Sequence, residues 1–81
     1  MNKVRKEILQ AQLDEVEKKI ALYDIDIQVL QSIDPEHIVR REKLSANSSK
    51  EITAEEALDK TKKDREGVII RRTATLKLLE G

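Results

Sequence analysis

The chain has 81 residues, contains no cysteine and carries 16 basic and 16 acidic side chains, so its formal net charge is zero. This composition excludes a disulfide framework, a thiolate metal site and the net basic charge that favours binding to nucleic acid or anionic membranes. Charged residues make up 40% of the chain and Tyr23 is the only aromatic residue, so the core must be built from aliphatic side chains. We expect one small cytoplasmic domain with no cofactor, no metal ion and no membrane contact.

The first helix is predicted over residues 2–33 by apolar residues that alternate at steps of four and three. This spacing places them on one side of an α-helix. We call the set the heptad seam; it consists of Leu9, Leu13, Val16, Ile20, Tyr23, Ile27 and Leu30. Because an isolated helix cannot bury such a seam, the pattern predicts self-association into a homodimer or a larger assembly. The alternation of apolar and polar residues in Tyr23–Val29 also fits a strand, which stays open as an alternative.

A second set of apolar residues begins in the second half of this helix and is displaced around it from the heptad seam. We call it the second stripe; it consists of Leu22, Ile25, Val29 and Ile33. Another part of the same chain is expected to cover much of it. Any part that stays exposed is a candidate surface for binding a helix of another protein.

The pair Asp34-Pro35 predicts a break in the chain, because proline lacks an N–H donor and disfavours the helical conformation in the residue before it. The same pair can begin a new helix, with the aspartate as cap and the proline in the first turn. A short helix is therefore predicted over residues 35–45, followed by a polar loop over residues 46–53.

The last helix is predicted over residues 54–79, because the segment Thr53–Glu56 has the sequence of a capping box. Gly67 disfavours a helix, and several β-branched residues follow it. A strand within Val68–Leu79 therefore stays open as an alternative.

Together these elements predict an all-α protein. We expect an elongated antiparallel helical hairpin, similar to a coiled coil, with a short helix in the connection, which dimerises into a helical bundle. Residues 1–34 hold five basic and seven acidic side chains, whereas residues 57–81 hold seven basic and four acidic ones. These opposite net charges favour packing of one long helix against the other. The predicted function is a non-enzymatic protein–protein interaction module that acts as an adaptor, assembly factor or inhibitor.

Metal binding and catalysis find little support among the polar residues. His37 is the only histidine, and a zinc site with Asp34 and Glu36 would need further converging ligands at fixed spacing. Asp24 and Asp26 point in different directions if the segment is helical, so they would not share a proton or a cation. We therefore predict no catalytic residues.

The alternative function is a small nucleic-acid-binding regulator. The candidate residues for this alternative are Arg40, Arg41, Arg71 and Arg72. Acidic residues interleave with most of the basic clusters, and no set of aromatic residues is present for base stacking. The pair Arg71-Arg72 has no acidic neighbour in the sequence, so we expect an arginine there to meet an acidic residue of the first helix, either in the same chain or in a partner.

Overall fold

The computed structural model describes residues 2–81 and contains two long helices joined by a β-hairpin. The elements are α1 (Lys3–Gln31), β1 (Ile38–Ser45), β2 (Ser48–Thr53) and α2 (Ala54–Glu80). The helices pack against each other, and the two strands form an antiparallel sheet. The prediction of an all-α protein is therefore wrong. Both long helices form close to their predicted bounds, and neither Tyr23–Val29 nor Val68–Leu79 is a strand.

Side chains at the helix ends define where α1 and α2 begin. The side chain of Asn2 accepts a hydrogen bond of 2.7 Å from the backbone N–H of Arg5. At the start of α2 the Thr53 hydroxyl accepts a hydrogen bond of 3.2 Å from the backbone N–H of Glu56, as the capping box predicts. The end of α1 is closed by Ser32, whose backbone N–H and hydroxyl both donate to the carbonyl of Val29.

The connection holds a β-hairpin where a short helix and a loop were predicted. Asp34 does not cap a helix, because its side chain and its carbonyl accept hydrogen bonds from the backbone N–H groups of Glu36 and His37 and close a turn. The His37 carbonyl then accepts a hydrogen bond of 2.8 Å from the N–H of Ala54. This bond places the start of β1 beside the start of α2, so the chain continues as a strand.

The strands pair from Ile38 opposite Thr53 to Ser45 opposite Ser48, with register shifts on either side of the central pairs. A cross-strand ion pair joins Arg41 to Glu51 at 2.9 Å. Each shift leaves one extra residue in β1, which interrupts the alternation that would have indicated a strand. The hairpin is therefore held by backbone pairing and the ion pair between Arg41 and Glu51 more than by apolar contacts.

The core is a single layer of side chains between the two helices and the hairpin. The buried residues are Leu9, Leu13, Val16, Ile52, Ala54, Ala57 and Val68. The other four members of the heptad seam are half-buried, including the only aromatic residue, Tyr23. Among the described elements α1 packs only against α2, so α2 of the same chain covers the heptad seam. The molecule measures 51 × 32 × 14 Å, and this thinness leaves room for only one layer.

Two ion pairs between the helices show that they run antiparallel. Arg65 contacts Asp24 at 2.7 Å, and Arg72 contacts Glu17 at 3.5 Å. The higher-numbered residue of α2 thus contacts the lower-numbered residue of α1, as antiparallel helices require. Arg72 therefore meets an acidic residue of the first helix, as predicted.

The ion pair between Lys50 and Glu56, at 3.2 Å, links the hairpin to the first turn of α2. A hydrogen bond from Lys50 lowers the pKa of Glu56 below its ordinary value of 4.5; desolvation opposes this effect, and Thr53 adds to it. Because the pKa is lower in the folded state, the Glu56 carboxylate stabilises the fold above pH 4.5. This contribution is lost as the pH falls through the lowered pKa.

We predict that Glu56→Gln lowers the midpoint of thermal unfolding at neutral pH, and that the difference from the wild type disappears below the lowered pKa. Glu55→Gln is the matched control, because it removes the same charge from the same helical turn without a contact to Lys50. An equal pH-dependent effect of both substitutions would attribute the stabilisation to the helix dipole and not to the ion pair.

Candidate protein-binding surface

The helix α1 carries apolar side chains on two opposite sides. The heptad seam faces α2, and a second set is displaced from it by about 160° around a helix of 3.6 residues per turn. Two residues in the N-terminal half of this second set, Ile8 and Ala11, line a groove with Arg71 of α2. We call this second set the outer stripe; it consists of Val4, Ile8, Ala11, Leu22, Ile25 and Val29. The five large members are 53–66% exposed. The side of α1 that α2 leaves uncovered is thus apolar along most of its length.

The structure divides the second stripe that was predicted to bind a partner. Leu22, Ile25 and Val29 are exposed and belong to the outer stripe. Ile33 lies beyond the end of α1, is half-buried and lines a groove with Pro35 and Leu58. Three of the four predicted residues are therefore available to a partner on one face, and the fourth faces the start of α2.

The first half of the outer stripe was not predicted from the sequence. Val4, Ile8 and Ala11 follow the same steps of four and three as the second half, and this spacing is the signal that could have identified them. The two halves are separated by Glu15 and Lys18, which interrupt the apolar pattern. Within residues 2–81 neither of these side chains has an oppositely charged group within 4.0 Å.

The heptad seam, predicted as a self-association surface, lies inside the single chain. Its first three residues are buried and the rest are half-buried against α2. A second copy could reach these side chains only if α1 and α2 separated. Any surface for binding another molecule to the intact helix pair must therefore lie elsewhere.

Three of the four candidate arginines for nucleic-acid binding are ion-paired within the chain. Arg40 contacts Glu42 at 3.4 Å, and the contacts of Arg41 and Arg72 are described above. Within the described residues Arg71 has no carboxylate within 4.0 Å. It also lies roughly 25 Å along α2 from the hairpin junction, at 1.5 Å per residue. The four arginines thus do not form one continuous basic face.

Other classes of site would need a cluster of metal ligands or a membrane-spanning helix. Residues 2–81 contain no group of three or more His, Cys, Asp or Glu side chains that could hold a metal ion. His37 is exposed. Neither described helix combines the length and the apolar character that crossing a membrane requires. No family model, curated protein or solved structure matches this chain.

Proposed function

We propose that this protein is a non-enzymatic, cytoplasmic protein–protein interaction module that binds a partner helix through the outer stripe of α1. The exposure of five large aliphatic side chains along one side of a single helix carries this proposal. Soluble proteins rarely leave large apolar patches uncovered, and the outer stripe forms two apolar halves on either side of Glu15 and Lys18. The cytoplasmic location rests on the sequence composition alone.

The spacing of the outer stripe indicates the kind of partner. Apolar residues at steps of three and four form ridges that fit between the side chains of another helix. An adaptor, an assembly factor or an inhibitor could each use such a surface. Apolar burial would supply most of the binding free energy, so salt should affect the affinity only weakly.

Capture of partners from the source cell tests this function with three baits. We expect Ile25→Ser to lose the partner that the wild type retains, because this side chain is 56% exposed and its loss does not affect the core. Ile70→Ser is the matched control, since Ile70 is 69% exposed on α2 and lies outside the outer stripe. The control should retain the partner.

The nucleic-acid alternative is tested on the same proteins with labelled duplex DNA and RNA across a salt series. Binding through Arg71 would weaken steeply with salt, with a log–log slope of about one per phosphate neutralised. It would also fall in Arg71→Ala and stay unchanged in Ile25→Ser. That combination of results would replace the proposed function with the nucleic-acid one.

A further inference from the structure

When Glu15 and Lys18 are included, the spacing of the outer stripe is the same in both directions along α1. The successive steps from Val4 to Val29 are four, three, four, three, four, three and four residues. Reversal exchanges Val4 with Val29, Ile8 with Ile25, Ala11 with Leu22, and Glu15 with Lys18. Every apolar position is thus exchanged with another apolar position, and the acidic position is exchanged with the basic one.

We infer that the partner of the outer stripe is a second copy of this chain, bound with its α1 antiparallel to the first. This inference rests on the proposed function, because it names the partner of the same surface. A two-fold axis between Val16 and Glu17 would superimpose the stripe on its own reverse. The resulting pairs match those of an antiparallel coiled coil. In such a coiled coil, the first residue of a three-residue step on one helix faces the second residue of a three-residue step on the other helix.

The charges at the centre of the stripe select the antiparallel orientation. The two-fold axis brings Glu15 of one protomer beside the partner's Lys18, and the same contact recurs on the other side of the axis. A parallel arrangement would instead place each of these side chains against its own copy, and like charges in contact repel. Of the two orientations, only the antiparallel one therefore places each of these charges beside an opposite charge of the other protomer.

The flank of the stripe supplies a second complementary pair. Arg5 and Asp26 each directly follow an apolar residue of the outer stripe, so they lie on the same flank of it. The axis exchanges position 5 with position 28, which places Arg5 about two residues, or about 3 Å along the helix, from the partner's Asp26. Within residues 2–81 neither has an oppositely charged group within 4.0 Å in its own chain. All four charges that the dimer would pair thus lack an ion pair within the described part of the single chain.

In the dimer, the single layer of core side chains in each protomer would be joined by a further layer between the two α1 helices. The outer stripe spans about 38 Å of helix, from Val4 to Val29 at 1.5 Å per residue. Because it lies opposite the heptad seam, pairing would place the two α1 helices in the centre and one α2 on each outer side. Each α1 would then be covered on both of its apolar sides, which accounts for its two-sided pattern.

Light scattering after gel filtration tests the dimer with a matched pair of substitutions. The wild type and Ile70→Asp should have the mass of two chains. Ile25→Asp should raise the dissociation constant by about 100-fold or more, because each dimer would bury two carboxylates against the partner's Ile8. Far-ultraviolet circular dichroism should show unchanged helicity in Ile25→Asp if the single chain stays folded.

A charge exchange tests the orientation even if the dimer is needed for folding. Glu15→Lys should weaken the dimer about tenfold, since it places two lysines together at the centre. Adding Lys18→Glu should restore the wild-type affinity, because the pair is then reversed and not lost. Weakening by the single substitution without recovery in the double one would overturn the antiparallel arrangement.

Disulfide cross-linking gives an independent test, because the natural chain has no cysteine. A mixture of Val4→Cys and Val29→Cys should form a cross-linked dimer on oxidation, and neither variant should do so alone. Cross-linking of Val4→Cys with itself would indicate a parallel dimer and overturn the inference.

The outcomes separate this inference from the proposed function. A monomeric wild type, or a dimer that Ile25→Asp leaves intact, overturns the second copy as partner. In either case capture of another protein that is lost in Ile25→Ser would leave the proposed function standing. Dissociation by Ile25→Asp, recovery by charge exchange and the mixed cross-link together support the antiparallel dimer.

Discussion

Val16→Asp should unfold most of the protein. Val16 is 3% exposed and is one of only seven buried apolar residues within residues 2–81. An unpaired carboxylate in such a place costs several kcal/mol. A domain of this length has a total free energy of unfolding of about 4–12 kcal/mol. The substitution therefore removes a large share of the stability, and circular dichroism should show loss of helical signal.

Thr73→Asp is the control for this effect. Thr73 is exposed on α2, has nearly the shape of valine and lies outside the core. A change of this kind on a helix surface alters the free energy of unfolding by about 0.5 kcal/mol or less. If Val16→Asp were no more destabilising than Thr73→Asp, the packing of the heptad seam against α2 would be disproved.

Ile52→Ala should release the hairpin from the helices. Ile52 is 5% exposed and is the only buried residue of the two strands. Removal of such a side chain costs about 2–5 kcal/mol. The strands contact α2 and not α1, so the loss should be local to the hairpin. Hydrogen exchange followed by NMR should show fast exchange in β1 and β2 and continued protection in the helices.

Leu44→Ala tests whether the effect depends on burial. Leu44 lies in the same hairpin but is 64% exposed, so its loss should leave the protection of the strands nearly unchanged. Equal loss of protection in the strands and the helices of Ile52→Ala would contradict local release. It would show that the hairpin and the helices unfold as one cooperative unit.

The sequence predicted the two helices because their signals are local. The heptad seam repeats along α1 at a spacing that only a helix converts into one face, and the Thr53 hydroxyl caps a helix that begins at the next residue. The pattern did not reveal that the seam's partner is α2 of the same chain. A helix in the same chain and a helix in a second copy satisfy the same periodicity.

The hairpin could not be predicted because its pairing is not local. The segment Ser48–Thr53 contains one large apolar residue, Ile52, and otherwise resembles a loop. The extra residues of β1 also remove the alternation that indicates a strand. The turn at Asp34 uses the same side chain that would cap a helix, so the local signal supported the wrong element.

Only part of the candidate surface could be predicted from the sequence, for a similar reason. Leu22, Ile25 and Val29 were identified because they adjoin one another at helical spacing. The matching residues near the start of α1 were missed because Glu15 and Lys18 divide the stripe. Only the exposure of both halves on the same side of the folded helix showed that they form one surface.

The single aromatic side chain gives the protein an intrinsic optical probe. Tyr23 is half-buried where α1 and α2 meet, and the chain contains no tryptophan or phenylalanine. Its fluorescence therefore reports the environment between the helices and receives no contribution from a chromophore in the hairpin. Release of the hairpin would leave the emission nearly constant, whereas separation of the helices would change it. One unlabelled sample can thus distinguish the two events without a reporter group.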